Sequence, residues 1–322
     1  MKLGELVKNP KGFKVTGIYR VSRFEVKTAR NGKAYGDCLV SDYSFEVPAK
    51  YWDIPAEGVA LFQQQGILRL EATLDYFKDS PQLTIDNVYL PQPEEIDQSL
   101  QELGMMAPRS LEDMVNELTD IIAQVSHEGL RALLVAMFIE DKSFSERFKR
   151  HPGAVKNHHA YIGGLLEHTL ELTVGAIDHC NRNNKINKDI LVAAALVHDI
   201  GKVQEIELDA FGMGIGFTRE GKLLRHISLG IEMLEPFCRA VGLEKEIALM
   251  LKHCILSHHG QAEWGSPVEP MFLEAELLHY LDNLSAKTEQ FSRETERLEP
   301  GAFNRSPTLR REIYRPSIDP TL

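Results

Sequence analysis

The 322-residue sequence predicts a multidomain α+β protein, with a small N-terminal β-barrel followed by an all-helical domain. Residues 12–90 contain short alternating or β-rich runs that are separated by turn signals. Pro91 and Pro93 then interrupt regular structure, and an acidic pair suited to a helix start follows. Almost every segment after these prolines has the apolar periodicity of an α-helix, so we expect the two folds to follow one another along the chain.

The β-rich region has the length of one small barrel. Strand-like runs occupy residues 13–19, 37–40, 45–47 and 67–72. Residues 30–33 predict a hairpin tip, and residues 78–81 predict a second break. About five short strands in about 80 residues fit a Greek-key barrel of the OB type. An SH3-like barrel would give much the same pattern.

The helical region divides into a linker, a main domain and a tail. Predicted helices cover residues 110–125, 127–140, 156–180, 189–200, 226–241, 244–259 and 270–290. Val192 to Val197 is apolar on every side, so we expect its helix at the centre of the domain. The predicted domains are residues 1–92 (barrel), 93–155 (helical linker), 156–290 (helical domain) and 291–322 (tail). The Pro/Arg-rich part of the tail, from Pro300 onward, is expected to wrap the surface.

Composition predicts an ordinary soluble, cytoplasmic protein with no membrane association. Hydrophobic residues make up 43% and charged residues 26% of the chain, which is usual for globular proteins. No apolar run has the length of a signal peptide or of a transmembrane helix. The four cysteines show no CxxC spacing and are interpreted as reduced core residues.

Positive charge is concentrated near the N-terminus, although the formal net charge is −11. Residues 1–36 carry nine Lys or Arg against two acids. Such an excess is either a footprint for a phosphate backbone or a solvated basic face.

Histidines and aspartates at the edges of apolar segments are the main functional signal in the second half. They are His168, His198, Asp199, His226, His258, His259 and Asp282. Imidazole nitrogens and carboxylate oxygens are ligands for divalent metals. Each residue alone could be a core or capping residue, but a set large enough for two ions indicates a hydrolytic metal site.

The surroundings of these residues support a metal site. Asp282 lies within an apolar helical segment, where a carboxylate needs a partner such as a metal ion or an arginine. Gly201 suits a helix C-terminus just after His198-Asp199, and the Gly163-Gly164 pair is expected to let another helix approach His168. His158 and His159 are weaker candidates for substrate contact. The Gly212-x-Gly214-x-Gly216 run is interpreted as a flexible loop.

The ordered pattern His168…His198-Asp199…Asp282 resembles the H…HD…D signature of the HD-domain phosphohydrolases. His226 and His258-His259 resemble the two-metal variant of that superfamily. More narrowly, the chain resembles the YhaM-type 3′→5′ exoribonucleases, which join an OB-fold domain to an HD domain. The strings TARNGKAYGDCLVSD (28–42), HHAYIGGLLEHTLE (158–171), HDIGK (198–202) and GKLLRHISLG (221–230), together with SHHGQAEWGSP and LDNLSAK, carry this likeness.

The resemblance implies roles for individual residues. His168, His198, Asp199 and Asp282 would hold the first ion, and Asp199 would bridge to a second ion on His226, His258 and His259. Lys202 matches a lysine that approaches the substrate phosphate, so Lys202 and Asp199 are the expected catalytic residues. The implied metal is Mn²⁺, and the ligand types also suit Fe²⁺, Co²⁺ or Zn²⁺.

The expected function is a metal-dependent 3′→5′ exonuclease that hydrolyses single-stranded RNA, with single-stranded DNA as a second substrate, to nucleoside 5′-monophosphates. The barrel would hold the strand through Arg30 and Lys33 on phosphates and through stacking on Tyr35, Phe77, Tyr19 or Phe24. Each of these aromatics could instead be a core residue. The alternatives are a phosphohydrolase for mononucleotides or cyclic dinucleotides, and a strand-binding protein with a non-catalytic HD site. A homo-oligomer is left open.

Overall fold

The N-terminal strands close into a five-stranded barrel in the computed structural model, which describes residues 1–42, 45–63, 66–155, 159–209, 211–296 and 298–318. The strands are β1 (Lys14–Thr28), β2 (Ala34–Ser41), β3 (Glu46–Trp52), β4 (Gly66–Phe77) and β5 (Ser80–Tyr89). Their order around the barrel is β1-β2-β3-β5-β4, and β1 pairs with β4 to close it. This closed five-stranded arrangement is OB-like and confirms the predicted fold class.

Alternating burial along the strands fills the barrel interior. In β4, Leu70, Ala72 and Leu74 are buried, and the residues between them are partly exposed. The predicted turn signals are confirmed. Gly32 has φ +81° in the β1–β2 turn, and the β4–β5 turn places Lys78 and Asp79 at φ +51° and +62°.

Two helices accompany the barrel. Helix α1 (Leu3–Leu6) buries Leu3 and Leu6 completely. Helix α2 (Ala56–Gln63) lies between β3 and β4, within a region that the sequence pattern indicated as β throughout. With eight residues it is too short to show a clear helical period, and burial of Phe62 in the barrel core stabilises it.

Residues 1–108, 160–162 and 208–215 form one compact unit. Helix α3 (Pro93–Glu102) belongs to it and starts with a capping box made by Gln92 and Glu95. The 208–215 segment packs closely, because a Cβ atom on Gly66 would lie 2.3 Å from the Phe211 ring.

The second compact unit contains residues 109–159, 163–207 and 216–322. Its helices are α4 (Leu111–Gln124), α5 (Glu128–Val135, continued by a π-helix at Ala136–Glu140), α6 (Lys142–Arg150), α7 (Gly164–Arg182), α8 (Lys188–Val197), α9 (Lys202–Glu205), α10 (Arg219–Ala240), α11 (Lys245–Ser257) and α12 (Leu273–Glu296). Helix α8 packs against α5, α7, α11 and α12. Its residues 190–197 are at most 3% exposed, so the predicted central helix is confirmed.

Two local expectations were wrong. Helix α7 begins at Gly164 rather than at residue 156, because His159 (φ +54°) and Gly163 (φ +81°) are not helical. The Gly212–Gly216 run lies in a short hairpin of β6 (Ile206–Leu208) and β7 (Gly214–Phe217). The tail forms a hairpin of β8 (Phe303–Ser306) and β9 (Arg311–Tyr314), most of whose residues are exposed.

Two findings bear on the compositional expectations. None of the helices in the described ranges combines the length and apolarity needed to span a bilayer. All four cysteines are free, and only Cys180 is not fully buried.

Candidate active site

Six of the seven predicted metal ligands form two groups in the helical unit. One group consists of His168, His198 and Asp282, and the other of His226, His258 and His259. Within each group, one potential ligand atom of every residue lies within 4.8 Å of the others. Residues more than 100 positions apart in the sequence therefore meet in the same place.

Asp199, the seventh residue, lies between the two groups. Its Oδ2 atom is 3.3 Å from His198 Nε2 and 3.7 Å from His168 Nε2. Its Oδ1 atom is 3.5 Å from His226 Nε2 and 3.7 Å from His258 Nε2. One carboxylate oxygen therefore faces each group.

Close backbone packing fixes the dyad and its neighbours. His198 and Asp199 follow α8 in the turn that leads to α9. Gly201 lies in the turn just after the end of α8, as expected, but its φ of −63° does not itself require glycine. Glycine is required there for a different reason, since a Cβ atom would lie 1.9 Å from the His226 carbonyl oxygen.

Gly164 serves His168 in a similar way. A Cβ atom on Gly164 would lie 2.1 Å from the carbonyl oxygen of His159. The sequence had suggested that the glycine pair lets another helix approach. The structure shows that the preceding loop approaches instead. His168 follows one turn later on α7 and points towards Asp282 of α12, with 3.1 Å between its Nε2 and the Asp282 Oδ1.

Every histidine of the two groups has its Nδ1 atom held by an acceptor. Backbone carbonyls of Ala195, Ile255 and Trp264 lie 2.7–2.9 Å from the Nδ1 atoms of His198, His258 and His259, respectively. His226 Nδ1 lies 3.2 Å from the Glu205 carboxylate, and His168 Nδ1 lies 3.0 Å from Ser285 Oγ. Because Ser285 donates to Glu171, its oxygen accepts from His168. A proton on each Nδ1 leaves the Nε2 lone pair for a ligand bond.

With the protons on Nδ1, the Nε2 atoms and Asp199 Oδ1 face one another as acceptors. His168 Nε2 and His198 Nε2 are only 3.3 Å apart. Asp199 Oδ1 and His226 Nε2 are buried and make no hydrogen bond to any of the described residues. Lone pairs this close repel each other, and buried acceptors without a donor are costly. Cations between them would remove both penalties, so the residues fit divalent metal ions.

Lys202 supplies the nearest fixed positive charge. Its Nζ atom lies 2.5 Å from Asp199 Oδ2, and both side chains are largely buried. Burial alone would raise the pKa of Asp199, but the charge of Lys202 holds it well below its usual value. Burial lowers the pKa of His258 and of His259, which favours the neutral imidazole that binds metals.

Glu205, Glu171 and Ser285 orient the histidines and were not among the predicted site residues. Glu205 follows the dyad by six residues and is 5% exposed. Glu171 and Ser285 lie within the strings HHAYIGGLLEHTLE and LDNLSAK, but the sequence assigned them no role because their contacts join separate helices. His159, a weaker candidate for substrate contact, is buried, and its Nε2 lies 3.4 Å from the Glu171 carboxylate. His158 lies outside the described residues.

The predicted nucleic-acid residues lie on the barrel unit. Arg30 and Lys33 are exposed in the β1–β2 turn, where Lys33 pairs with Asp53 at 2.7 Å. Phe77 is 64% exposed next to the β4–β5 turn, and the Lys78 ammonium lies 5.6 Å from the centre of its ring.

Tyr35 belongs to an exposed aromatic cluster that the sequence analysis did not identify. It faces Trp52 across β2 and β3 with ring centres 4.8 Å apart, and Trp52 is 45% exposed. Lys50 Nζ lies within 5.5 Å of both ring centres. Tyr19 and Phe24 were wrong candidates for stacking. Tyr19 is 1% exposed, and Phe24 stacks on the buried Phe62.

Comparison with known proteins agrees with this arrangement. The HD domain family matches residues 165–287, a range that includes the six residues of the two groups and Asp199. The 3′-5′ exoribonuclease YhaM of Oceanobacillus iheyensis is 32% identical over 91% of this chain and 90% of its own. The protein of the same name in Bacillus subtilis is 31% identical over 90% of this chain and 91% of its own. The YhaM protein of Geobacillus sp. strain WCH70 is 32% identical over 85% of this chain and 83% of its own. These similarities span both the barrel and the helical region, and the chain therefore belongs to the YhaM family of HD-domain enzymes.

Proposed function

We propose that this protein is a divalent-metal-dependent 3′→5′ exonuclease that degrades single-stranded RNA to nucleoside 5′-monophosphates. The observation that carries the proposal is the position of Asp199, whose two carboxylate oxygens face two separate groups of ligand atoms. The names of the relatives support an exoribonuclease. Single-stranded DNA is proposed as a second substrate, and the cytoplasm as the location.

Seven side chains would hold two ions. His168, His198 and Asp282 would bind the first, His226, His258 and His259 would bind the second, and Asp199 would bridge them. When bound, such ions supply positive charge at a phosphodiester and make a water molecule more acidic. Mn²⁺ is the proposed metal, although Fe²⁺, Co²⁺ and Zn²⁺ suit the same ligand types.

The chain itself orients the ligands and stabilises charge. Hydrogen bonds at Nδ1 hold the five histidines in one tautomer, so that they need not rearrange when ions bind. Lys202 would stabilise the negative charge on the phosphate oxygens while water replaces the 3′ oxygen of the penultimate nucleotide at phosphorus. Asp199 holds the Lys202 ammonium in place, and burial of both strengthens this interaction.

The barrel would bind the strand upstream of the scissile bond. In OB-folds, strands 2 and 3 and the loops between strands 1–2 and 4–5 form the usual oligonucleotide surface. Tyr35 and Trp52 lie on strands 2 and 3, whereas Arg30, Lys33 and Phe77 lie in or next to the two loops. Exposed aromatics with lysines over their rings suit bases and phosphates.

The test is incubation of purified protein with a 5′-end-labelled single-stranded RNA and Mn²⁺. We expect a descending ladder of RNA products, and EDTA should abolish it. The double variant His198→Ala, Asp199→Ala should produce no ladder. An intact strand under every divalent metal, with metal binding verified, would overturn the proposal. Turnover of mononucleotides or cyclic dinucleotides without RNA degradation would indicate a different phosphohydrolase.

A further inference from the structure

A cavity of about 780 Å³ opens beside the His226, His258 and His259 group, within the helical unit. Lys202, His226 and His259 contribute to its wall, so an occupant would lie next to the proposed reaction centre. The volume is within the roughly 300–1,000 Å³ typical of small-ligand pockets. Phe217, Arg225 and Trp264 line other parts of the wall, and none of the three was a predicted site residue.

Trp264 offers an aromatic surface that is already held in place. It ends a short 3₁₀ turn (Ala262–Trp264), and its indole is 51% exposed. Its carbonyl oxygen lies 2.9 Å from Nδ1 of His259. The ring also packs against His279, with 5.8 Å between the ring centres. The same residue therefore orients one proposed ligand and lines the cavity.

Arg225 has a strained backbone immediately before His226. Its φ and ψ angles are +61° and +162°, a region that residues other than glycine rarely adopt. Its guanidinium lies over the Phe217 ring, with 5.2 Å between Cζ and the ring centre. It makes no ion pair with the carboxylates of the described residues. Arg225 is exposed, and its guanidinium, which has no carboxylate partner among the described residues, is available to bind an anionic ligand at this cavity wall.

The two acidic residues that line the cavity, Glu205 and Glu263, do not pair with the Arg225 guanidinium. Glu205 is bonded to His226 Nδ1. Glu263 is exposed and is a suitable acceptor for a ribose hydroxyl.

We propose that this cavity is the subsite for the 3′-terminal nucleotide of the strand. Trp264 stacks on its base, and Arg225 binds its phosphate beside the proposed metal site. The inference rests on the proposed function and adds the residues that recognise the end of the strand. A nucleoside 5′-monophosphate, the released product, therefore fits the same subsite.

Binding of adenosine 5′-monophosphate tests the subsite without turnover. The chain has two tryptophans, so a full-length Trp52→Phe variant leaves Trp264 as the only tryptophan reporter. We expect the nucleotide to quench its fluorescence, both in EDTA and with Mn²⁺. In this background, Arg225→Ala should weaken nucleotide binding about tenfold or more, and Arg225→Lys should weaken it less. Adenosine, which lacks the phosphate, should bind weakly and independently of residue 225.

Arg219→Ala is the matched control. Arg219 lies on the same helix and is exposed, but it pairs with Glu220 and does not line the cavity. Its replacement should leave the nucleotide affinity unchanged. Arg225→Gly is a second variant that removes the guanidinium and tolerates the backbone angles, so misfolding would not explain a loss of binding in both variants.

Two results would overturn the subsite. One is the absence of quenching in the Trp52→Phe protein at millimolar nucleotide, and the other is equal affinity of the Arg225 variants and their parent. The labelled-RNA assay, run on the protein with Trp52 intact and on its Arg225 variants, separates this failure from failure of the proposed function. RNA degradation without nucleotide binding would refute only the subsite, whereas nucleotide binding without degradation under any metal would refute only the exonuclease.

Discussion

Asp199 Oδ1 and His226 Nε2 lie 3.5 Å apart, and neither makes a hydrogen bond to a described residue. His226 carries its proton on Nδ1, which Glu205 accepts, so two acceptor atoms face each other in a buried space. This pairing is unfavourable unless a cation lies between them. The proposed bridging role of Asp199 therefore depends on a cation between its Oδ1 atom and His226 Nε2.

Replacing Asp199 tests that role. In Asp199→Asn, one charged oxygen becomes an amide, and a neutral side chain cannot bridge two cations. We expect the metal content to fall from about two ions per chain to one or fewer, and RNA hydrolysis to fall on the order of 100-fold or more. Elemental analysis and the ladder assay measure both effects. Asp178→Asn, an exposed change on α7, is the control, and unchanged metal content in Asp199→Asn would contradict the bridge.

Glu205 should control only the second group. Among the five histidines, His226 is the one whose Nδ1 directly contacts a carboxylate. In Glu205→Gln, we expect the affinity for one ion to fall about 10- to 100-fold, with the other ion unaffected. Isothermal titration with Mn²⁺ resolves the two steps. Glu207→Gln, at an exposed position two residues later, should bind like the parent, and equal weakening of both steps would argue against separate groups.

The aromatic cluster on the barrel should contribute to strand binding. Removing one stacking platform, in Trp52→Ala, should weaken binding of a single-stranded RNA by about 1–3 kcal/mol. Fluorescence anisotropy with labelled RNA in EDTA measures this without cleavage. Phe303→Ala removes an exposed aromatic from the tail hairpin and serves as the control. Unchanged RNA affinity in Trp52→Ala would place the strand on another surface.

Arg225→Gly should separate stability from ligand binding. Glycine adopts positive φ without strain, and the strain of an arginine there costs about 1–3 kcal/mol. Part of this gain is offset by the greater backbone freedom of glycine in the unfolded chain. We expect the free energy of unfolding in urea to rise by about 1 kcal/mol. Arg219→Gly, at a regular helical position, should instead lower it, and destabilisation by both changes would contradict the strain.

His151 predicts a pH dependence of stability. Burial lowers its pKa to about 4, the charges of Arg147 and Lys202 act in the same direction, and the hydrogen bond to Pro152 O opposes them. Because the unfolded side chain titrates near 6.5, the unfolded state binds the proton first as the pH falls. The stabilisation is therefore complete above pH 6.5 and is lost between pH 6.5 and 4, a change of about 3 kcal/mol.

Urea unfolding at several pH values tests this expectation. His151→Gln removes this titration and should reduce the pH dependence between pH 6.5 and 4 relative to the parent. His179→Gln, an exposed change on α7, should retain the slope of the parent. Equal slopes for His151→Gln and the parent would contradict the prediction.

The fold was predictable because its signals are local. Short strands with turn residues between them predicted the barrel, and the uniformly apolar Val192–Val197 predicted the central helix α8. Helix α2 escaped prediction because its stability comes from Phe62 in the barrel core rather than from its own pattern. The same holds for the start of α7, where Gly163 and the packing of His159 on Gly164 override helical periodicity.

The sequence by itself determined which residue types were available for metal chemistry, since His168, His198-Asp199, His226, His258-His259 and Asp282 stand in a recognisable order. Only the tertiary structure decided how they meet. It turned one Asp199 oxygen to each group and set Glu205 against His226. It also gathered Phe217, Arg225 and Trp264 around one cavity. Local sequence specifies backbone periodicity and turns, whereas the distance between side chains on different helices depends on how those helices pack.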